Sequence, residues 1–223
     1  MTKDQVRTRI LLVAGEIFAL RGYQSTTIRD ICQRAKVNVA AVNYYFGDKE
    51  RLYIDAVKHA RELIADQWPL PEWSDETTPE QKLSMFVETF LQRLLCRDAA
   101  SWRIRLILRE IMDPTRACEE LVQESFRPFF NVLLEVIREM VPRRTAAFRI
   151  HQLGLSLIGQ CVFYLSQRRV VEMMVDADEL DAHFHPQALA EHIVSFSVPG
   201  LRKPYSERTE SLPDFRQGKA SSS

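Results

Sequence analysis

The stretch AKVNVAAVNYYFGDKE, residues 35–50, decides how this chain is read. Asn38 is a good helix N-cap, Val37 before it can staple against Val42 at the fourth helical position, and Gly47 can end the helix. Residues at i, i+1, i+4 and i+5 share one side of a helix. Val39, Ala40, Asn43 and Tyr44 therefore fall on one half, and Ala41, Val42, Tyr45 and Phe46 on the other. The second half holds the packing residues. The first half is what a partner would meet: small side chains permit close approach, an asparagine can make paired hydrogen bonds to adenine, and apolar groups suit a thymine methyl.

Upstream, Val6, Ile10, Val13, Ala14, Ile17 and Phe18 recur at helical spacing and stop at Arg21-Gly22, which predicts a first helix over about residues 4–21. Thr27 with Asp30 resembles a capping box, and Ile28, Ile31 and Ala35 give a second helix an inner face. A short turn, Ala35 to Val37, joins helices two and three. That is the outline of a helix-turn-helix with the third helix as reader. The competing reading of this stretch is a small amphipathic helix with a polar edge.

Charge favours the first reading. The whole chain balances 30 Lys/Arg against 30 Asp/Glu, yet residues 1–60 carry ten basic side chains against six acids, an excess of +4, leaving the remainder at −4. Thr26, Thr27, Tyr45 and Lys49 around the third helix are groups that anchor phosphates.

Downstream, Asp48 caps a fourth helix carrying Leu52, Ala56, Val57, Ala60 and Ile64 up to Pro69 and Pro71. Thr78-Pro79 with Gln81 marks a new start. Leu83, Phe86, Val87, Phe90, Leu91, Leu94 and Leu95 predict one amphipathic helix, and residues 102–111 a shorter one. A long helix runs from Asp113-Pro114 to about Met140, kinked at Pro128. Another covers about residues 145–168, and a last one opens at Pro186 and is closed by Pro199. The polar residues 200–223 read as a flexible tail. With seven glycines in 223 residues and few alternating β-branched runs, the expected fold class is all-α.

Composition excludes other classes. With 46% hydrophobic residues the chain can bury a substantial core and is not disordered. Early charges at Lys3, Asp4, Arg7 and Arg9 argue against a signal peptide, and no window approaches the ~18 apolar residues of a membrane span. A soluble, cytoplasmic protein is expected, with no membrane partner. Cys32, Cys96, Cys118 and Cys161 stand apart without CxxC pairing and read as buried reduced thiols. His183, His185 and His192 lack a fixed third ligand, so neither metal nor cofactor is expected.

The run TRILLVAGEIFALRGYQSTTIRDICQRAKVNVAAVNYYFGDKERLY, residues 8–53, resembles the N-terminal DNA-binding domain of TetR-family transcriptional regulators. The shared points are Ala14 and Phe18, Arg21-Gly22-Tyr23, Thr26-Thr27, Ile31, Ala35, Val37, Tyr44-Tyr45-Phe46 and Lys49-Glu50. Lys36 stands where the family usually has glycine, and Asn43 where it more often has tyrosine. Three shorter stretches, LILREIMDPT, RPFFNVLLEVI and SLIGQCVFY, resemble a TetR subgroup with the ligand-binding domain of CecR-like regulators.

The resemblance implies a helix-turn-helix domain over residues 1–48, a connecting helix over 49–68, and an effector-binding and dimerisation domain over 69–199, followed by the tail at 200–223. It implies a homodimer that presents two reading helices to a near-palindromic double-stranded DNA operator, half-sites about one or more helical turns apart (~34 Å for one turn), and a small-molecule effector that releases a repressor. Arg29, Val39, Ala40, Ala41, Asn43 and Tyr44 become candidates for contact at or near bases, although Arg29 reads equally well as a solvated helix residue. Thr26, Thr27, Lys36, Tyr45 and Lys49 become candidates for phosphate. The charge-poor segment QLGLSLIGQCVFYL suits a dimer helix, with Gly154, Ser156 and Gly159 permitting close approach. Candidate ligand-binding residues are Phe86, Phe90, Trp102, Arg105, Arg109, Met112, Phe126, Phe130, Gln160 and Tyr164. Arg105 and Arg109, one turn apart, can hold an anion or pair with nearby acids. Two other functions stay open: an all-helical enzyme built on Arg105, Arg109, Glu110 and His151, for which no nucleophile-base set stands at recognisable spacing, and an adaptor that binds protein through the third helix.

Overall fold

The computed structural model describes residues 2–95 and 101–202, and every regular element among them is helical. The first helix, α1 (Lys3–Arg21), is opened by a reciprocal Thr2–Gln5 capping box. It ends at Gly22, whose φ of 82° lies in the left-handed region and whose N–H donates to the Phe18 carbonyl at 2.8 Å. Helices α2 (Ile28–Ala35), α3 (Val39–Phe46) and α4 (Lys49–Gln67) follow, each with the expected cap. Thr27 and Asp30 bond reciprocally, Asn38 Oδ1 accepts the Ala41 N–H at 2.8 Å, and Asp48 Oδ1 accepts the Arg51 N–H at 2.8 Å. Ile10, Ala14, Phe18, Ile31, Ala35, Val42, Phe46, Leu52 and Val57 interlock as the first core.

Beyond the loop, the chain forms α5 (Pro79–Leu95), α6 (Ser101–Met112), α7 (Arg116–Leu121), a π turn (Val122–Phe126), α8 (Arg127–Met140), α9 (Ala147–Ser166), α10 (Arg168–Met174), α11 (Ala177–His183) and α12 (Pro186–Arg202). Helices α5, α8, α9 and α12 surround a second core that includes Leu83, Phe86, Leu91, Leu133, Ile137, Leu157 and Ile193. Thr78 and Gln81 close a capping box ahead of Pro79.

The irregularity expected at Pro128 is the π turn. Proline has no N–H for the carbonyl four residues back, and its ring collides with that carbonyl in a regular helix. The chain widens by one residue just upstream, with the Arg127 N–H reaching Val122 O. Pro199 does not close the last helix, which continues to Arg202 because Leu201 is buried in the second core. Helices α10 and α11 were not foreseen. They are seven residues each and bury no side chain, so they leave no apolar stripe in the sequence. Residues beyond Arg202, where the flexible tail was expected, lie outside the described residues, as does Cys96.

Gly154 corrects another expectation. It does not offer a gap to a partner subunit, because a Cβ there would lie 2.8 Å from the Phe130 ring and 3.0 Å from Leu134. The glycine lets α9 close onto α8 of its own chain. At Gly159 nothing stands within 4 Å of an added Cβ.

Helices α6 and α7 pack against the first core although they follow α5 in the chain. Leu106, Ala117 and Leu121 are buried there beside α1 and α4, and Trp102 and Phe126 pack at its edge. Gly15 of α1 makes this possible, since a Cβ would sit 2.2 Å from the Trp102 indole. Glu110, fully buried, ties the junction: Tyr53 of α4 donates to its Oε2 at 2.6 Å, while the Thr115 N–H and hydroxyl donate to its Oε1 at 2.7 and 2.9 Å.

Candidate nucleic-acid interface

The third helix divides as its sequence predicts. Val42 and Phe46 are buried, Ala41 and Tyr45 are half-buried, and Val39, Ala40, Asn43 and Tyr44 are exposed. Tyr44 is 71% exposed and its ring meets that of Tyr45 edge-on with centroids 5.0 Å apart. Val39 and Tyr44 are among the large apolar side chains left outward, and Asn43 stands outward beside them. Behind the helix, Arg7 of α1 lies 5.3 Å over the Phe46 ring and bonds Asp55 of α4 at 3.0 Å. This clasp fixes the depth at which α3 stands proud of the domain.

The turn before α3 passes through Lys36, at φ 52° and ψ 48°, the one positive-φ non-glycine residue among those described. Its N–H closes α2 on the carbonyls of Cys32 and Gln33. A non-glycine side chain in this region costs about 1–2 kcal/mol. Arg9 offsets part of that cost: its guanidinium donates to the carbonyl of Ala35 and, at 3.1 Å, to that of Lys36. A cation at the C-terminal carbonyls of α2 also suits the helix dipole. From the sequence, Arg9 counts only as one of the charges near the N-terminus. Its place on α1 next to the apolar Ile10 is the one local sign that its long side chain reaches into the fold.

The phosphate candidates separate. Thr26 is buried and its hydroxyl donates to the Gly22 carbonyl at 2.8 Å, so it closes the α1–α2 turn and is not available to DNA. This corrects the expectation that it anchors phosphate. Thr27 is exposed, but its hydroxyl donates to Asp30 Oδ2 at 2.7 Å. Hydrogen bonds from the Thr27 hydroxyl and N–H hold the Asp30 carboxyl below its ordinary range. Arg29 and Lys36 are exposed on the α2 side of the reading helix. Lys49, at the N-terminus of α4, stands 4.4 Å over the Tyr23 ring with Nζ 3.4 Å from the Gln24 carbonyl. The cations thus flank α3, whose own sequence is uncharged.

The ten candidate ligand residues do not form one pocket. Trp102 and Phe126 belong to the first core and Phe86, Phe90, Phe130 and Tyr164 to the second. Met112 is 82% exposed, and Arg105 and Arg109 are exposed on α6, with the Arg109 guanidinium folded against Gly22. Helical spacing shows which residues share a side, but not which neighbouring helix that side meets. Gln160 donates to Ser197 Oγ of α12 at 3.3 Å. Only Tyr164 lines the cavity of about 400 Å³ between α9, α10, α11 and α12, with Arg168, Glu172, Phe184 and His185 among its other walls. Arg168 and Glu172 pair there at 2.8 Å.

His183, His185 and His192 do not converge. The His185 Nδ1 accepts the Ala188 N–H at 3.3 Å at the start of α12, and His192 stacks on Phe196. Among the described residues no group of three or more His, Cys, Asp or Glu side chains could hold a metal ion. Cys32 and Cys161 are buried and Cys118 half-buried; burial pushes the Cys161 thiol up to about 12.

This architecture has known counterparts. Residues 10–56 match the model for bacterial regulatory proteins of the tetR family, and residues 79–201 match that for the C-terminal domain of the HTH-type transcriptional dual regulator CecR. CecR of Shigella flexneri is 27% identical over 143 residues, covering 60% of this chain and 64% of its own. The HTH-type transcriptional repressor NicS of Pseudomonas putida is 38% identical over 56 residues, 25% of this chain and 26% of its own. These matches thus span less than two thirds of either relative. The crystal structure of a TetR-like transcriptional regulator from Rhodococcus sp. RHA1 shares the fold with a TM-score of 0.65 at 17% identity, over 90% of this chain and 98% of its own. The families matched are regulators and not enzymes. With a helix-turn-helix that sets Asn43 and Tyr44 outward and a helical C-terminal unit of the CecR type, the chain belongs to the tetR family of bacterial DNA-binding regulators.

Proposed function

We propose that this regulator acts as a cytoplasmic homodimeric repressor that binds a near-palindromic operator through α3 and leaves it when a small-molecule effector occupies the C-terminal unit. The observation that carries the DNA-reading part is the outward face of α3, where Val39, Ala40, Asn43 and Tyr44 are exposed while the residues between them seat the helix. Asn43 pairs with an adenine edge, Val39 and Ala40 meet thymine methyls, and Arg29, Lys36 and Lys49 neutralise flanking phosphates. Ala41 and Tyr45, half-buried, sit at the edge of that contact.

The dimer reading rests on a second exposed face. Phe148, Leu155 and Phe163 of α9 are 60%, 60% and 51% exposed, and Phe196 of α12 is 72% exposed. They share a side with Ser156 and the open Gly159. Two such helices per subunit make a four-helix bundle that withdraws this surface from water. The repressor assignment follows NicS, a transcriptional repressor similar to this chain over 56 residues. No described helix is long and apolar enough to cross a membrane.

The test is a mobility-shift titration with DNA from the gene's own neighbourhood. Saturable binding that survives competitor DNA and weakens with salt is the expected result. An adaptor binding protein through α3 would leave every such fragment unshifted, and that outcome overturns the proposal.

A further inference from the structure

Helices α10 and α11 have seven residues each, too few for a helix to hold together on its own in water. What they pack against must therefore set their position. In α10 only Val171, and in α11 only Leu180, is withdrawn even halfway from water. Both line the cavity of about 400 Å³ that these helices form with α9, α12 and the end of α5. Each helix thus turns its one apolar contact onto an open space and not onto a core.

The rest of the wall selects what could fill that space. Tyr164 and Phe184, both lining it, meet edge to face with ring centroids 6.2 Å apart. The volume falls at the lower end of the roughly 300–1,000 Å³ of pockets that hold small organic molecules. Charge narrows the choice further. Arg168 is already bonded to Glu172 Oε1 at 2.8 Å, which leaves Glu172 Oε2 as an acceptor for a second donor. Asp181 brings another carboxylate to the same wall. Aromatic ring faces attract cations as well.

We propose that this cavity binds a flat aromatic cation, its rings among Tyr164, Phe184, Val171 and Leu180 and its ammonium group at Glu172. Such a molecule gives α10 and α11 the apolar contact they lack and so orders them. An organic anion fits worse, because it meets two carboxylates and a guanidinium that is already paired. The site also adjoins the face assigned above to the dimer: Phe163, exposed on that face, meets the Tyr164 ring edge-on with centroids 5.9 Å apart. A ligand against Tyr164 therefore acts next to the contact between subunits. This gives the effector of the reading above a chemical class and a place, and its consequence for DNA rests on that reading.

Isothermal titration calorimetry of the full chain with 1-pyrenylmethylammonium, 1-pyrenylmethanol and 1-pyrenecarboxylate tests the site. Saturable binding of the ammonium is expected, about tenfold tighter than that of the carboxylate. Glu172→Gln, a change at an exposed side chain, should weaken the ammonium about threefold or more and leave the alcohol as it was. In the parent protein, which needs no variant to fold, the ammonium should slow hydrogen exchange of the amides of residues 168–184. No saturable ammonium binding, a carboxylate that binds as tightly, unchanged ammonium affinity in Glu172→Gln, or slowed exchange confined to other segments would overturn the proposal. Mobility shifts with the same unliganded parent keep the two readings apart: operator binding without a pyrenylmethylammonium site sinks only this proposal, and a filled site without any operator binding sinks only the regulator's.

Discussion

Tyr53 and Glu110 meet at 2.6 Å across the boundary between α4 and α6, hydroxyl donating to a carboxylate that water does not reach. Because Thr115 supplies two further donors to the same carboxylate, the start of α7 is fastened to the DNA-reading unit through one side chain. Removing the Tyr53 hydroxyl by Tyr53→Phe should cost about 1.5–3 kcal/mol, the range for hydrogen bonds to charged groups, read as a lower midpoint in denaturant titration.

A pH dependence follows from the same pair. Burial first, then the Glu110 carboxylate, hold the Tyr53 hydroxyl above the usual phenol range. A group whose folded value is raised contributes stability that is complete below its unfolded value and lost as pH rises. Stability should therefore fall as pH climbs beyond about 10, the unperturbed tyrosine value. Tyr53→Phe should flatten that alkaline limb in melting curves taken across it; an unchanged limb would assign the dependence to another group.

Lys36 should reveal a conflict between folding and binding. Replacing it by glycine relieves the left-handed strain but adds backbone entropy, so Lys36→Gly should stabilise the protein by up to about 1 kcal/mol. If Lys36 touches phosphate, the same variant should bind operator more weakly and reduce the slope of log affinity against log salt by about 1. A steeper melting loss, or an unaltered slope, would remove Lys36 from the interface.

Asn43 and Thr26 form a second contrast. Asn43 is exposed, so Asn43→Ala should leave the melting temperature in place while costing about 1–3 kcal/mol of discrimination at one base pair. Thr26→Val should do the reverse, lowering stability by about 1 kcal/mol through the lost bond to Gly22, with the salt slope unchanged. Binding curves on a panel of single-substituted operators distinguish the two.

The two glycines of α9 separate internal packing from assembly. Gly154→Ala drives a methyl into Phe130 and Leu134 and should destabilise the chain by about 1–3 kcal/mol. At Gly159 an added Cβ has nothing within 4 Å, so Gly159→Leu should leave the subunit folded while shifting it toward monomer in sedimentation analysis. Dimers that tolerate Gly159→Leu at low concentration would place the interface elsewhere.

What the sequence made legible were the elements whose signals are local. Caps at Thr27, Asn38 and Asp48, the glycine stop at Gly22 and the two-faced α3 depend on neighbours within a few residues, and each appears as expected. Partnerships between distant helices were not legible. Arg9 reaching across to Ala35, Trp102 seated on Gly15 and Arg93 over Phe129 depend on how helices pack, which periodicity within one helix does not encode. For the same reason ten residues chosen for aromatic or charged character scattered over two cores and the surface.

Leu106, Ala117 and Leu121 complete the core beneath the reading helix from beyond residue 100. A fragment cut after α4 would keep the entire helix-turn-helix in its sequence and still lose the floor on which α1 and α4 rest. The chain is therefore expected to unfold as a single cooperative body in calorimetry, and the DNA-reading half is not a transferable module. Its stability is borrowed from α6 and α7, so a mutation loosening α6 is expected to lower the stability of the DNA-reading half as well.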